Sequence, residues 1–204
     1  MQRYRFSVAV VLILSAVLPL ATHAGTQQYE PLSASVRSAM SHSVADDYKA
    51  RLVFNDPQHA YQWLLAMSQK LEKRIPDTVY RVELLKTIHY EATRAGLDPQ
   101  LVLGIIQVES GFKKYAVSKA GARGLMQVMP FWVDLIGDEK QHNLFELRTN
   151  LRFGCTILRH YLDIEKGNLY RALGRYNGSL GRPEYPRLVM GAWKGTFRYD
   201  GPVV

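Results

Sequence analysis

The sequence predicts a mainly α-helical fold, and three observations carry that prediction. From residue 59 onward, apolar residues recur at steps of three or four, which is the spacing of a helix that buries one face. Aspartate caps, prolines at first helical positions and glycine stops mark where these stretches begin and end. No stretch sustains the alternation of apolar and polar residues that predicts a strand.

Each predicted helix follows from its own pattern and its own boundary residues. Pro76 ends the first helix, Asp77 caps the second, Gly96 stops it, and Asp98-Pro99 opens the third. The predicted helices span residues 59–74, 78–95, 99–110, 130–136, 149–166, 169–176 and 185–192. Hydrophobic residues make up 47% of the 204 residues, which is enough to bury one sizeable core.

The first 24 residues have the pattern of an export signal. Arg3 and Arg5 precede an apolar run over residues 6–20, and small residues stand at positions 22 and 24 before a cleavage point. A membrane anchor is the alternative, but the run is short for a bilayer span and Pro19 interrupts its end. We therefore expect a signal peptide over residues 1–24, an exported or periplasmic protein, and no stable membrane span after cleavage.

Composition divides the rest of the chain into three parts. Residues 25–57 are polar and rich in serine, which predicts a loosely held lead segment. Residues 58–192 hold the helical pattern and are expected to form the compact domain. Residues 193–204 form a C-terminal tail, in which Trp193, Phe197 and Tyr199 are expected to cover the core rather than to stack on a ligand.

The net charge narrows the classes of partner. The whole chain carries +8, and cleavage of the signal peptide removes two of its arginines. A basic exported protein is drawn to acidic polymers or to anionic lipid surfaces. Because the charges form no stripe and nucleic acid is an unusual partner outside the cytoplasm, no nucleic-acid binding is expected. The oligomeric state is not readable from the sequence, and a monomer is the default expectation.

Cysteine and histidine usage predicts neither redox nor metal chemistry. Cys155 is the only cysteine, so the chain forms no internal disulfide, and its apolar helical neighbours predict a buried, unreactive thiol. The six histidines are scattered, without the spacing of metal ligands. We therefore predict no metal and no other cofactor.

Glu109 stands at an unusual place in the helix predicted over residues 99–110. Val102, Ile105, Ile106 and Glu109 fall at i, i+3, i+4 and i+7, so the carboxylate ends an apolar stripe. A carboxylate there needs a partner or stays neutral with a raised pKa. A neutral acid in a semi-apolar cleft is what the protonation of a glycosidic oxygen requires. A solvated glutamate at a helix end is the plainer alternative, which periodicity alone does not exclude.

The stretch that follows Glu109 is rich in glycine. Gly111, Gly121 and Gly124 allow the chain to fold back tightly, with its backbone close to a ligand. Gln127 stands between apolar neighbours, and its amide is able to donate and accept hydrogen bonds to a sugar. A surface amide is an equal alternative for Gln127 on this pattern alone.

Three ordered motifs carry a family resemblance. The first is Glu109-Ser110-x-Phe112, and the third is Ala172-Leu173-Gly174-Arg175-Tyr176-Asn177-Gly178. The second, which is the most specific, reads Ala116-Val117-Ser118-x-Ala120-Gly121-Ala122-Arg123-Gly124-Leu125-Met126-Gln127-Val128-Met129-Pro130. Together they resemble the catalytic domain of the soluble lytic transglycosylases, which is similar to goose-type lysozyme, and the third resembles that family's alanine-tyrosine-asparagine motif. The resemblance covers roughly residues 80–192.

The resemblance implies a lysozyme-like, mainly helical domain with a groove for a peptidoglycan glycan strand. It implies cleavage of the β-1,4 bond between N-acetylmuramic acid and N-acetylglucosamine, with Glu109 as the catalytic acid and later the base. Tyr176 matches the tyrosine that orients the catalytic carboxylate or a neighbouring sugar, whereas Asn177 is expected to hold the local turn and Ser110 to support the helix end. Carried over by position, the substrate-binding residues are Ser118, Gln127, Met129, Tyr176 and Asn177.

The chain also departs from the family pattern. Arg175 replaces the usual alanine before the tyrosine and is expected to add charge beside the groove, and Lys113-Lys114-Tyr115 replaces a common asparagine-proline stretch. The usual alanine-glycine-proline after the asparagine reads Gly178-Ser179-Leu180. These departures leave Glu109 in place and bear on substrate preference.

The motifs contain one candidate acid, whereas most glycosidases use two carboxylates. In the family that this chain resembles, the 2-acetamido group of the substrate is thought to shield the anomeric carbon. The C6 hydroxyl of the muramic acid then attacks, and the product carries a 1,6-anhydromuramic end. Such an intramolecular attack has a large effective-molarity advantage over water.

Two alternative functions remain open from the sequence. One is a goose-lysozyme-type muramidase that hydrolyses the same bond, and the other is a non-catalytic peptidoglycan-binding or secretion scaffold. The sequence shows no added binding domain, so placement at one site in the wall would require a cell-envelope protein partner. The sequence does not show whether cleavage occurs at strand ends or within strands. It also does not show whether the biological role is wall recycling, secretion-system assembly or lysis.

Overall fold

The computed structural model describes residues 27–45, 49–138 and 142–201. The predicted signal peptide, residues 1–24, lies outside these residues. Within them the chain forms helices and no strand, so the predicted mainly α class is confirmed. None of the described helices combines the length and the apolar character needed to cross a membrane. The helices are α1 (Ala34–Val44), α2 (Pro57–Leu71), α3 (Thr78–Arg94), α4 (Pro99–Glu109), α5 (Phe131–Ile136), α6 (Leu147–Ile164), α7 (Leu169–Asn177) and α8 (Glu184–Gly191).

Helices α2 to α8 match the seven predicted helices to within a few residues, and the two predicted caps, Asp77 and Asp98, are both present. The Asp77 carboxylate accepts hydrogen bonds from two main-chain N–H groups in the first turn of α3. Asp98 does the same for α4, at 2.7 Å from the Gln100 nitrogen, and Pro99 takes the first helical position. Each side chain thereby satisfies amides that the helix leaves without an internal acceptor.

Helix α4 is the central element, and every residue from Pro99 to Ile106 is buried. Gln100 and Gly104 lie off the apolar stripe that ends at Glu109, and both are nevertheless buried. Gln100 is buried because its Oε1 accepts a hydrogen bond from the Trp63 indole at 3.1 Å. Gly104 lies against the main chain of α8 and the turn after it, where an added Cβ would stand 3.2 Å from the Val189 oxygen.

The N-terminal flank is more ordered than a loosely held segment. Helix α1 packs against α5 and α6, and its Met40 and Val44 belong to the core. The prediction missed α1 because serine and alanine dominate it, with only a few apolar residues to mark a buried face. The division at residue 57 stays a prediction, but both sides of that division pack on one helical body.

The C-terminal flank continues α8 through a π-helical turn, Ala192–Thr196. As expected for aromatic residues that cover the core, Phe197 is buried, and Trp193 and Tyr199 pack partly buried against it. The Trp193 indole also donates to Asp98 Oδ2 at 3.0 Å, which ties this turn to the start of α4.

A buried ion cluster joins α1, α3 and α6. The fully buried Glu91 carboxylate accepts from Arg152 at 3.2 Å and from Arg94 at 3.2 Å, and Arg148 Nε lies 3.5 Å from Oε1. Arg152 also donates to the Val44 carbonyl at 3.2 Å. The cluster therefore holds a charge in the interior by surrounding it with partners of opposite sign.

The single cysteine lies in α6, and it is buried as the sequence predicts. Burial raises the pKa of the Cys155 thiol far above its ordinary value, with the Glu91 charge as a second cause. A thiol that stays protonated is a poor nucleophile, so this side chain serves as core.

Candidate active site

Glu109 is the last residue of α4, and the chain turns sharply after it. Phe112 has a φ of 69°, in the left-handed region that side chains other than glycine rarely adopt. Ser110 holds this turn: its Oγ donates to the Leu125 carbonyl at 2.8 Å and accepts from the Phe112 N–H at 3.2 Å. The expected support of the helix end by Ser110 is confirmed.

The Glu109 carboxyl lies in the interior among neutral polar groups. The side chain is 6% exposed, and the Tyr185 hydroxyl donates to its Oε1 at 2.7 Å. Burial raises the pKa of Glu109 to about 8, against smaller lowering effects of hydrogen bonds from the Tyr185 and Asn177 side chains. The carbonyl groups at the C-terminal end of α4 also disfavour a negative charge at this position. The carboxyl is therefore mostly protonated at neutral pH.

The two carboxyl oxygens have different surroundings. Oε1 accepts the Tyr185 hydrogen bond, whereas Oε2 is buried without a hydrogen-bond partner among the residues that the structure describes. An oxygen that already accepts a strong hydrogen bond is the less basic of the two, so the acidic proton belongs on Oε2. One carboxyl oxygen is therefore fixed by Tyr185 and the other is without a partner among the described residues, an arrangement that suits a general acid.

The loop of residues 123–129 lies beside Glu109, and side chains from other elements hold its main chain. Asn150 of α6 accepts from the Met126 N–H at 2.8 Å and donates to the Arg123 and Leu144 carbonyls at 2.9 and 2.8 Å. Gly124 has a φ of 76°, and a Cβ there would stand 2.3 Å from the Asn150 amide nitrogen. Only glycine permits this close approach.

Tyr176 is fully buried near Glu109, but it is not the tyrosine that bonds the carboxyl. Its hydroxyl donates to the Met126 carbonyl at 2.8 Å, so it fixes the loop. Burial raises the pKa of Tyr176 well above its ordinary value, and the nearby Glu109 charge adds to the increase. The hydroxyl that donates directly to the Glu109 carboxyl belongs to Tyr185, which α8 brings to the end of α4.

Asn177 is hydrogen-bonded to Glu109 as well as placed in the local turn. It is buried in the last turn of α7, and its side chain forms a hydrogen bond that lowers the pKa of Glu109. The expected role in the local turn also fits its position, since the next residue, Gly178, closes the helix in the left-handed conformation.

The remaining predicted site residues lie in the 123–129 loop, which holds Gln127 and Met129, and in the turn before it, which holds Ser118. Gln127 is buried with a φ of 49°, and its side-chain nitrogen donates to the Ala116 and Gly124 carbonyls at 3.2 and 2.8 Å. That nitrogen therefore holds the loop and is not free for a sugar. Met129 is half-buried, and Ser118 Oγ accepts from the Ala122 N–H at 3.1 Å within a tight turn.

Arg175 does not add an unpaired charge beside the site. It forms ion pairs with Glu30, at 3.0 Å, and with Glu165 at the end of α6. The expectation of added charge is wrong because the sequence places neither acid near Arg175, and the fold brings both to it.

Sequence reasoning missed two residues that organise the site. Tyr185 was assigned only to a helix, since it lies beyond the last matched motif, and no local pattern marks it. Asn150 had a usable signal: an amide side chain in an otherwise apolar helix interior is unfavourable for the helix and indicates a bonded partner elsewhere.

Comparisons with known proteins agree with the motifs. The sequence model of the family described as Transglycosylase SLT domain matches residues 86–185. The transglycosylase of Enterobacteria phage PRD1 is 33% identical over 126 residues, which are 58% of this chain and 46% of that protein. Membrane-bound lytic murein transglycosylase C of Mannheimia succiniciproducens is 50% identical over 82 residues, which are 36% of this chain and 23% of that protein. The chain thus spans less than half the length of these curated relatives.

Among solved structures, an inactive mutant of the lytic transglycosylase Slt from Pseudomonas aeruginosa aligns with a TM-score of 0.41 and 19% identity. The alignment covers 78% of this chain and 37% of that protein. The family assignment rests on the sequence matches, which include Glu109, the 123–129 loop and Tyr176. Residues 86–185 of this chain belong to the lytic transglycosylase catalytic-domain family.

Proposed function

We propose that this chain is a peptidoglycan lytic transglycosylase that cleaves the β-1,4 bond between N-acetylmuramic acid and N-acetylglucosamine without water. One observation supports the proposal above the others. Glu109 is a buried, protonated acid whose Oε1 is fixed by Tyr185, while its Oε2 is without a hydrogen-bond partner among the described residues. Such an acid is suited to donate a proton at neutral pH to a weakly basic glycosidic oxygen.

The first step uses the proton on Oε2. Glu109 donates it to the glycosidic oxygen, the bond from that oxygen to the anomeric carbon breaks, and N-acetylglucosamine leaves with a new hydroxyl. Burial disfavours the resulting carboxylate, but the Tyr185 and Asn177 hydrogen bonds stabilise it. The carboxylate is therefore a competent base for the second step.

The second step uses a nucleophile from the substrate. The C6 hydroxyl of the muramic acid attacks the anomeric carbon, and its proton goes to Glu109, which restores the acid. Two covalent bonds are exchanged and no water is consumed, so the product is a 1,6-anhydromuramic end. One carboxyl is enough for this sequence of steps, because the attacking group and the shielding acetamido group both belong to the sugar.

Each predicted substrate-binding residue is assigned a role that is compatible with the contacts it already makes. We assign Ser118 and Met129, which are both half-buried, to the walls of the glycan groove. Gln127 contributes through its side-chain oxygen, since its nitrogen is already bonded within the loop. Tyr176 and Asn177 shape the floor beside the acid.

Product analysis by mass spectrometry tests the proposal. Purified peptidoglycan digested with the protein is expected to yield muropeptides with 1,6-anhydromuramic ends, which lack one water relative to hydrolysed ends. Hydrolysed ends would instead establish a muramidase, and binding without cleavage would establish a scaffold.

The matched variants are Glu109→Gln and Glu83→Gln, which make the same change at the buried acid and at an exposed position of α3. Glu109→Gln is expected to reduce turnover by about a thousandfold or more, because the amide has no acidic proton to donate. Glu83→Gln is expected to leave turnover unchanged. If Glu109→Gln keeps its turnover, Glu109 is not the catalytic acid.

We further propose that the protein acts in the bacterial cell envelope after export and that a cell-envelope protein partner places it in the wall. The predicted signal peptide supports export. Periplasmic recovery of the cleaved chain after expression in a Gram-negative host tests this, and cytoplasmic retention of the uncleaved chain would contradict it.

A further inference from the structure

The 27–30 segment, which precedes α1, lies against the residues that surround Glu109. Gln27 is 4% exposed, although it stands far from the matched family residues in sequence. Its side-chain nitrogen donates to the Gln127 carbonyl at 3.4 Å, and its side-chain oxygen accepts from the Met129 N–H at 3.2 Å. One amide side chain thus binds the loop on both sides of Val128.

The position of these two bonds gives them their importance. Gln127 has a φ of 49°, a conformation that costs energy for any residue other than glycine and persists only when its surroundings hold it. Both Gln127 and Met129 belong to the predicted substrate-binding set. Gln27 therefore fixes the main chain at the strained point of the candidate groove.

Gln27 completes a series of side chains that hold successive groups of the same loop. Ser110 holds the Leu125 carbonyl, Asn150 the Met126 N–H, and Tyr176 the Met126 carbonyl. Those three side chains lie within residues 86–185, the range of the family match, whereas Gln27 reaches the loop from outside that range.

Gln27 also contacts Tyr176, the closest buried tyrosine of α7 to the loop. Burial is the main cause of the raised pKa of Tyr176, and a hydrogen bond from the Gln27 side chain opposes that increase. The Glu109 charge also affects the pKa of Tyr176. Gln27 is therefore linked to the acid through one side chain, that of Tyr176.

Two further contacts fix the segment on either side of the site. The Tyr29 ring packs edge-on against Phe131 at the start of α5, with centroids 5.7 Å apart. Glu30 pairs with Arg175, the residue before Tyr176, at 3.0 Å. The segment is thus held against both α5 and α7, while its Gln28 side chain is exposed.

We propose that Gln27 is a positioning residue of the active site, through which the 27–30 segment holds the Gln127–Met129 turn and Tyr176 in place beside Glu109. This rests on the proposed function for its catalytic consequence. The contact of Gln27 with the loop stands independently of that function.

The variants Gln27→Ala and Gln28→Ala test the proposal in the full chain. Both variants remove a glutamine side chain. Gln27 is buried and bonds the loop, whereas the neighbouring Gln28 is exposed. With purified peptidoglycan as substrate, kcat of Gln27→Ala is expected to fall by about tenfold to a hundredfold, with KM changed less than about threefold, because the loop is misplaced rather than removed. Gln28→Ala is expected to behave as the unaltered protein.

Amide hydrogen exchange supplies a measurement that needs no substrate. The Met129 N–H is expected to exchange at least about tenfold faster in Gln27→Ala, since its acceptor is gone, while core amides of α4 keep their protection. A role in stability alone would accelerate exchange throughout the core and leave kcat unchanged below the unfolding temperature. If Gln27→Ala does not fold, Gln27→Met, which keeps the length and removes both polar atoms, carries the same expectations.

The outcomes separate this proposal from the proposed function. Unchanged kcat would overturn it, and so would increased activity, which would mean that the segment obstructs the groove. Unchanged Met129 exchange would also overturn it, because Gln27 would then not hold the loop. If the protein cleaves no peptidoglycan but the Met129 N–H still exchanges faster in Gln27→Ala, the proposed function is contradicted. The contact between Gln27 and the loop is then still supported.

Discussion

Two buried glutamates lie on neighbouring helices, and their surroundings are opposite. Glu91 of α3 is enclosed by the guanidinium groups of Arg94, Arg148 and Arg152. Glu109 of α4 is also buried, but its hydrogen bonds come from the neutral side chains of Tyr185 and Asn177. The arginines around Glu91 stabilise a buried negative charge, whereas the neutral surroundings of Glu109 disfavour one.

The comparison teaches that burial alone does not identify a catalytic carboxyl. Glu91 is the more deeply buried of the two, but its charged partners account for its presence by joining three helices. Glu109 has no such structural account, since its Oε2 is buried without a partner among the described residues. A buried carboxyl whose neighbours are neutral and whose pKa is raised is the better indication of chemistry.

Removal of the Glu91 charge is expected to have the largest effect on stability. Glu91→Gln leaves the arginines of the cluster without their common partner, so the free energy of unfolding is expected to fall by about 3–5 kcal/mol. Denaturant unfolding measures this, with Glu83→Gln as the exposed control. At temperatures where the variant is folded, its turnover is expected to be unchanged, and a selective loss of turnover would break the comparison.

The same change at Glu109 is expected to increase stability in a pH-dependent way. Below its ordinary pKa of 4.5 the carboxyl is protonated in the folded and unfolded chains, so Glu109→Gln has little effect. Between pH 4.5 and about 8 the unfolded chain loses the proton and the folded chain keeps it, so the unaltered protein is destabilised as pH rises. At pH 7 the variant is expected to be more stable by about 3 kcal/mol.

Denaturant unfolding of Glu109→Gln and the unaltered protein at pH 4 and pH 7 checks this sign. A variant that is less stable at pH 7 would mean that the carboxylate is ionised and paired in the fold. The two buried glutamates would then belong to one class.

A smaller effect is expected from Tyr185→Phe, which removes the hydroxyl that fixes Oε1. That hydrogen bond lowers the pKa of Glu109, so its loss is expected to raise the pKa further and to move the alkaline limb of kcat/KM to higher pH. The carboxyl also loses its orientation, and kcat is expected to fall by about tenfold to a hundredfold. The pH–rate profile measures both effects.

Tyr176→Phe is the matched comparison for Tyr185→Phe, because it removes a buried hydroxyl that bonds the loop rather than the acid. It is expected to reduce the free energy of unfolding by about 1–2 kcal/mol, since the Met126 carbonyl loses its partner. The alkaline limb is expected to move less than in Tyr185→Phe. A larger movement in Tyr176→Phe would restore the role that the sequence gave to Tyr176.

The sequence predicts helices α2 to α8 well because each has a local signal. Asp77 and Asp98 mark two starts through caps that act within three residues, and the apolar spacing marks the buried faces. Helix α1 has no comparable stripe, and it is stabilised by the Ser33 cap and by its packing on α5 and α6. The burial of Glu109 was also predictable, since it ends the apolar stripe of α4.

The side chains that hold Glu109 and the 123–129 loop were not predictable in the same way. Tyr185 lies 76 positions after Glu109, and Gln27 lies in the predicted lead segment. No local sequence pattern indicates that either residue contacts the site. Their roles depend on how α8 crosses α4 and on where the chain before α1 runs. Asn150 is intermediate: an amide in the buried interior of α6 signals that it has a partner, but not which one.

The close contact at Gly104 has a consequence for acidity. Because α4 touches the main chain of α8 there, the distance between these helices also sets how near the Tyr185 hydroxyl comes to the Glu109 carboxyl. A methyl group at Gly104 would push the two apart, and the proton affinity of the acid would change although no polar atom had been altered. In this protein the tuning of a proton donor depends on a residue that has no side chain.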